Sequence, residues 1–88
     1  GAESEVGDYF VCKMPDGRVV GRAKSVTELG TIIKTAPLDA ILLHARNGDF
    51  VSWLSRRGFE SVVSCIKSLI INDRNVRVAL LRCLRQGQ

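Results

Sequence analysis

The first recognisable element of the chain is YFVCKMPDGRVVGRA (residues 9–23), in which two apolar segments flank a turn. Pro15 fixes the φ angle of the second turn position, Asp16 suits the third, and Gly17 accepts the left-handed position after it. The pattern predicts a β-hairpin with a glycine bulge. We expect these cross-strand pairs: Met14 with Arg18, Lys13 with Val19, and Cys12 with Val20. Because a two-stranded hairpin alone is barely stable in water, it must pack against the helices that come after it.

Helical periodicity predicts about five short helices after the hairpin. The S-x-x-E pattern of Ser25 and Glu28 is a capping box, which opens the first helix. Pro37 ends that helix and can open the second. The dipeptide Asn47-Gly48 then provides a left-handed stop. The fold class is therefore α+β, an N-terminal β-hairpin followed by about five short helices in one small domain.

The last three helices are predicted from caps and apolar stripes. Asp49 is expected to cap the third helix, which closes at Gly58. The fourth is predicted from its apolar stripe of Val62, Val63, Ile66, Leu69 and Ile70. Asn72 or Asp73 is expected to cap the last helix, which runs to about Arg85. Its inward face should contain Val76, Ala79, Leu80, Cys83 and Leu84.

Charge is distributed unevenly along the 88 residues, whose net charge is +4. Residues 1–8 carry three acids and no base, so the chain from Tyr9 onward has thirteen bases against six acids, or +7. We expect residues 1–8 to be an acidic, flexible N-terminus with Gly1-Ala2 as a cloning scar, and residues 9–88 to be a single α+β domain. An excess of bases favours anionic partners, and no apolar run reaches the roughly 20 residues of a membrane span.

The cysteine and histidine content argues against metal sites and disulfides. Cys12, Cys65 and Cys83 contain no C-x-x-C pair, and His44 is the only histidine. The sequence therefore has too few ligands for a structural zinc site. It also has no segment that resembles a secretory signal, so we do not expect a secreted module held together by disulfides. We expect reduced cysteines, with Cys65 and Cys83 in the core, no metal, no cofactor and a cytoplasmic location.

The last predicted helix carries the candidate binding surface. At 100° per residue its four arginines fall within an arc of roughly 140° opposite the apolar face, and no acid follows Asp73. Arginine forms bidentate contacts with phosphates and carboxylates, although a solvated face is the alternative interpretation. The predicted site for nucleic acid or an acidic partner consists of Arg74, Arg77, Arg82 and Arg85, supported by Arg56, Arg57 and Lys67.

These features predict a small, basic, non-catalytic accessory subunit of a larger assembly. It would bind nucleic acid or a nucleic-acid-processing protein, with no membrane and no small-molecule substrate as partner. The alternative is a purely protein-binding adaptor, which would use an apolar hairpin face or the ridge Val78–Leu81. Apolar side chains among arginines suit a partner helix with an acidic rim better than bare DNA.

Two further modes of nucleic-acid binding are open. Residues 38–57 contain a helix, a turn and a helix, which would present Ser52, Ser55, Arg56 and Arg57 as in a helix-turn-helix. Tyr9 and Phe10, near basic residues of the hairpin, could instead form a stacking platform for single strands. Because the chain has only five aromatic residues, the hydrophobic core competes for both.

Catalytic residues are not predicted. His44 has only Asp39 and Asp49 as near acids in sequence and is interpreted as a structural histidine. No glycine-rich phosphate loop is present in the sequence. A remaining hypothesis, a thiol enzyme using Cys12, needs a partner base close in space.

Several short segments between residues 9 and 57 form a recognisable pattern: Pro15-Asp16-Gly17, Ala23-Lys24-Ser25, Glu28-Leu29, His44 and Asp49-Phe50-Val51-Ser52-Trp53-Leu54. In these segments the chain resembles an uncharacterised family of small archaeal and bacterial domains with a His…Asn-Asp-Phe-x-x-Trp signature. Gly48 stands where the family has Asn, and Arg57-Gly58-Phe59-Glu60 replaces a downstream Gly-Asp-Glu-x-Leu-Ala type segment. The resemblance implies a prokaryotic cytosolic domain that opens with two strands, and it supplies no catalytic residues.

Overall fold

A computed structural model describes residues 8–86 of the chain. The elements are β1 (Phe10–Lys13), β2 (Val19–Ala23), α1 (Val26–Thr35), α2 (Leu38–Asn47), α3 (Asp49–Arg56), α4 (Glu60–Lys67) and α5 (Val76–Gln86). The predicted α+β fold, a hairpin followed by five helices in one small domain, is confirmed. Residues 1–7, which include most of the predicted acidic N-terminus, lie outside the described residues, as do Gly87 and Gln88.

The hairpin has the predicted turn and a register that differs over most of its length. Gly17 has a φ of +92°, and the Met14 amide donates to the Arg18 carbonyl over 2.8 Å. Lys13 pairs with Val19 as predicted, but Cys12 pairs with Gly21 because a bulge shifts the register between Cys12 and Lys13. The prediction of a Cys12–Val20 pair is therefore wrong.

The bulge has a packing reason. It places Ala23 opposite the buried Phe10, whereas an unshifted ladder would have placed Arg22 there. A shift of one residue moves side chains to the other face of a strand. Arg22 is consequently exposed to solvent, while Ala23 is buried.

Local sequence signals determine the start of α1, the end of α2 and the start of α3. The Ser25 hydroxyl accepts from the Glu28 amide over 3.2 Å, which confirms the predicted cap of α1. Gly48, at a φ of +75°, ends α2 as predicted. The prediction that Asp49 caps α3 is wrong, because Gly48 occupies the cap position and Asp49 is the first helical residue. Its carboxylate accepts instead from His44.

The segment between α4 and α5 is longer than predicted. Helix α4 ends at Lys67, so Leu69 and Ile70 lie beyond it, and Ile70 is 91% exposed. The predicted continuation of the α4 stripe to Ile70 is therefore wrong. The side chain of Asn72 accepts from the Arg74 and Asn75 amides, both over 2.9 Å, and so caps the turn that leads into α5.

Helices α4 and α5 are joined by a disulfide between Cys65 and Cys83, whose Cα atoms lie 5.6 Å apart. The prediction that these two cysteines are reduced is therefore wrong. The two residues are 18 positions apart on different helices, so only the packing of α4 against α5 brings them together. Cys12 is the free cysteine among residues 8–86, and it is fully buried.

Aromatic rings of β1, α2 and α3 form one end of the core. Phe10 stacks on Phe50 with ring centroids 5.0 Å apart and meets Trp53 edge-on at 6.2 Å. Helix α1 packs against β2 and α5, which completes the core on the other side. Among the described residues, no helix is long and apolar enough to cross a membrane.

Candidate functional site

The outer face of α5 carries part of the predicted basic surface. The side chains of Arg82 and Arg85 are exposed and form no hydrogen bond or ion pair with any of residues 8–86. Val78 is 59% exposed and lies on the same side, because positions 78, 82 and 85 follow the i, i+4, i+7 spacing of one helix face. Arg74 is exposed as well, in the turn before the helix. We call Val78, Arg82 and Arg85 the α5 face.

Arg77 differs from Arg74, Arg82 and Arg85 because its guanidinium forms hydrogen bonds within the fold. Its Nη1 donates to the carbonyls of Ile33, over 2.9 Å, and Lys34, over 3.2 Å, near the C-terminal end of α1. The last carbonyls of a helix lack intrahelical partners, and a cation there is stabilising. Arg77 is half-buried in this position, so it serves to join α5 to α1.

The side chains of Arg56 and Arg57 contact α3 and Asp8, the first described residue, instead of joining the arginines of α5. Arg57 donates to the Asp8 carboxylate and to the Lys24 carbonyl, both over 2.8 Å, and its guanidinium lies 4.7 Å from the centre of the Trp53 ring. Arg56 donates to the Ser52 hydroxyl over 3.2 Å. Asp8, the last residue of the predicted acidic N-terminus, is thus tied to α3. These contacts leave Arg57 little capacity to bind a partner.

A groove between α1 and α5 extends the α5 face. It encloses about 280 Å³ and is lined by Val26, Thr27, Gly30, Thr31, Lys34, Leu81, Leu84 and Arg85. Lys34 and Arg85 are both exposed, and none of the lining residues is acidic. Sequence reasoning missed Lys34, because its proximity to Arg85 arises only when α1 packs against α5.

His44 uses both ring nitrogens within the protein. Nε2 accepts from the Lys13 amide over 2.8 Å, so the proton lies on Nδ1, which donates to Asp49 over 2.7 Å. The histidine is buried and links β1 to the start of α3. With both nitrogens occupied, it has no free position from which to accept a substrate proton.

A cavity of about 310 Å³ beside this pair contains the residue types of a hydrolytic triad without their connections. Ser52, His44 and Asp49 all line it, but the Ser52 hydroxyl accepts from Arg56 instead of contacting the histidine. A nucleophile of this type requires a hydrogen bond to its base. Elsewhere, burial raises the pKa of the Cys12 thiol, which disfavours its reactive thiolate. No group of three potential metal ligands occurs among residues 8–86.

The two other nucleic-acid modes do not match the geometry. Only Gly48 separates α2 from α3, whereas a helix-turn-helix uses a turn of about 3–4 residues. Phe10 is 4% exposed and stacked on Phe50, so it offers no platform for a base.

Comparison with known proteins gives no match to a protein family, a curated protein or a solved structure.

Proposed function

We propose that the chain is a non-catalytic accessory domain that binds the phosphate backbone of nucleic acid through the α5 face and the adjoining groove. One observation carries the proposal. Lys34, Arg82 and Arg85 lie on or beside one helix pair, are exposed, and pair with no acid among residues 8–86. Arginines that are not needed within a fold are available to bind phosphate, and their guanidinium groups can contact two oxygens at once.

The charge of the domain supports this proposal. Residues 8–86 carry thirteen bases and seven acids, which gives +6. Binding to phosphates releases counterions, so a surface of three or more bases gives an affinity that depends steeply on salt. Such a surface positions a nucleic acid without reading its bases.

A second candidate is an adaptor that binds an acidic amphipathic helix on the same face. The observation that favours it is the 59% exposure of Val78, with the half-buried Leu81 one turn away. An apolar side chain among arginines suits a partner with an apolar stripe and an acidic rim.

The disulfide bears on the compartment in which the domain works. Structural disulfides persist in oxidising compartments and inside hyperthermophilic cells, whereas an ordinary cytosol keeps thiols reduced. Because Cys65 and Cys83 are bonded, a cytoplasmic location fits the cytosol of a hyperthermophile and does not fit an ordinary reducing cytosol.

The test is fluorescence anisotropy with labelled single- and double-stranded DNA and RNA of equal length at several salt concentrations. We expect the triple variant K34Q/R82Q/R85Q to weaken binding and to reduce the salt slope by about one for each phosphate contact that is lost. The matched control is K13Q/R18Q/R22Q, which removes three exposed bases from the hairpin. Arg77 is left intact because it holds α1.

Three outcomes would count against the proposal: no binding to any nucleic acid at low salt, a triple variant that binds like the parent, or a control that loses as much as the triple variant. Val78→Asn separates the two candidates. The change should leave nucleic-acid affinity within about twofold, since phosphate contacts are electrostatic. The affinity for a protein partner that packs against Val78 should fall.

A further inference from the structure

A second groove lies away from the α5 face, where the end of α2 meets α3, α4 and the segment after α4. It encloses about 440 Å³, and its apolar lining consists of Ala45, Val51, Ile66, Leu69 and Ile71. It shares no residue with the α5 face or with the groove between α1 and α5. We call it the α2–α4 groove. Concave apolar surfaces of this size commonly accept side chains of a ligand or partner.

The segment that borders this groove holds an isoleucine in solvent. Ile70 lies between the two lining residues Leu69 and Ile71 and is 91% exposed. Its carbonyl accepts from Asn75 Nδ2 over 3.0 Å, and Asn75 Oδ1 accepts from the Asn72 amide over 2.8 Å. The disulfide between Cys65 and Cys83 closes the same segment. These contacts hold the backbone of the segment that carries Ile70.

The charged residues that line the α2–α4 groove are both basic. Arg46 and Lys67 line it and are both exposed, and no lining residue is acidic. Neither base forms an ion pair with any of residues 8–86. An apolar recess with a basic rim is complementary to an apolar stripe flanked by carboxylates.

We propose that the α2–α4 groove docks an acidic amphipathic helix of a partner protein. Apolar side chains at helical spacing would fill the recess, and Ile70 would pack against the same apolar stripe. Glu or Asp side chains on the flanks would meet Arg46 and Lys67. The domain would then hold its partner protein on a surface separate from the α5 face, and this proposal does not rest on nucleic-acid binding.

Charge favours this occupant over a second copy of the chain. In a two-fold pair, the same patch faces itself, so the basic rim of each copy would approach the basic rim of the other. Like charges placed against each other oppose association. A concave recess also fits a helix ridge better than it fits a membrane surface.

The experiment uses the full chain and two designed peptides of equal length. Both carry Leu at i, i+3, i+4 and i+7; one has Glu at the flanking positions and the other has Lys. Affinity is measured by anisotropy, and the contact surface by amide chemical shifts in ¹⁵N-labelled protein. We expect the acidic peptide to bind at least about tenfold more tightly than the basic one, with shifts concentrated at residues 45–51 and 66–71.

A charge-reversal variant of the groove rim gives the more decisive test. The variant R46E/K67E should bind the basic peptide more tightly than the acidic one, because its rim has changed sign. The control R18E/R22E changes the net charge of the protein by the same amount on the hairpin, and it should keep the preference for the acidic peptide. Ile70→Ser should weaken the acidic peptide severalfold without changing the unfolding transition, because the side chain is exposed.

Several results would overturn the proposal: no binding of the acidic peptide, equal losses in R46E/K67E and R18E/R22E, or shifts that fall on α5. Two others would assign the groove to a different occupant. One is a dimer in sedimentation velocity that Ile70→Ser dissociates. The other is binding to anionic phospholipid vesicles that Ile70→Ser abolishes while the acidic peptide does not bind.

Discussion

The junction of β1, α2 and α3 and the outer face of α5 use their polar side chains in opposite ways. At the junction, His44 engages both ring nitrogens, and the Trp53 indole donates to the Asp8 carbonyl over 2.6 Å. Arg57 meets a carboxylate, a carbonyl and an aromatic ring. On α5, by contrast, Arg82 and Arg85 contact no acid or carbonyl within residues 8–86. Polar groups stabilise the fold in the first region and remain accessible in the second.

Arginine shows the difference within one residue type. Arg57 and Arg77 complete hydrogen bonds that the backbone or a carboxylate would otherwise lack, whereas Arg82 has solvent around it. A count of charges treats all three as equal contributors to a basic patch. Their contacts assign the first two to stability and leave the third free for binding. Mutations at the junction and at Arg77 should therefore affect stability, and mutations of Arg82 and Arg85 on the α5 face should affect partner affinity.

The largest expected effect concerns the disulfide, which supports the α5 side covalently. Breaking the Cys65–Cys83 bond, which spans 18 residues, frees a loop in the unfolded chain and should lower the free energy of unfolding by about 3 kcal/mol. Urea unfolding followed by circular dichroism, with and without a phosphine reductant, measures the loss. The variant C65S/C83S is the control, and its stability should not respond to the reductant. Equal stability of the parent chain in both conditions would contradict the prediction.

A smaller loss is expected from His44, which holds the junction by hydrogen bonds. His44→Leu removes the acceptor for the Lys13 amide and should lower the free energy of unfolding by about 1–3 kcal/mol. His44→Gln keeps a side-chain acceptor and should recover part of the loss. Both are measured by urea unfolding. If Gln and Leu are equally destabilising, packing of the ring against Phe10 and Phe50 matters more than the hydrogen bond.

The fold could be predicted where its signals are local. The turn at Pro15-Asp16-Gly17, the cap at Ser25 and the left-handed Gly48 each act within a few residues, and each forms at its predicted position. The register of β2 could not be predicted in the same way. It depends on whether Arg22 or Ala23 faces the core, which the packing of α1 against the hairpin decides.

The candidate sites depend on contacts distant in sequence. The Cys65–Cys83 bond spans 18 residues, and Arg77 bonds to carbonyls 43 and 44 residues before it. The α2–α4 groove likewise joins Arg46 to Lys67, which lie on different helices. Periodicity places each residue on a face of its own helix, but it does not specify which helix lies against that face.

The smallest expected effect tests the contrast between the two kinds of arginine directly. Arg57→Gln removes two hydrogen bonds and the contact with Trp53, so we expect a loss of about 0.5–1.5 kcal/mol in the free energy of unfolding. Arg82→Gln makes the same chemical change at an exposed site without partners among residues 8–86 and should stay within about 0.5 kcal/mol of the parent. Both are measured in one urea series, with anisotropy on the same samples. Affinity for nucleic acid should show the reverse order, falling for Arg82→Gln and holding for Arg57→Gln. If the two variants lose the same stability and the same affinity, the contacts of Arg57 do not distinguish it from a surface arginine.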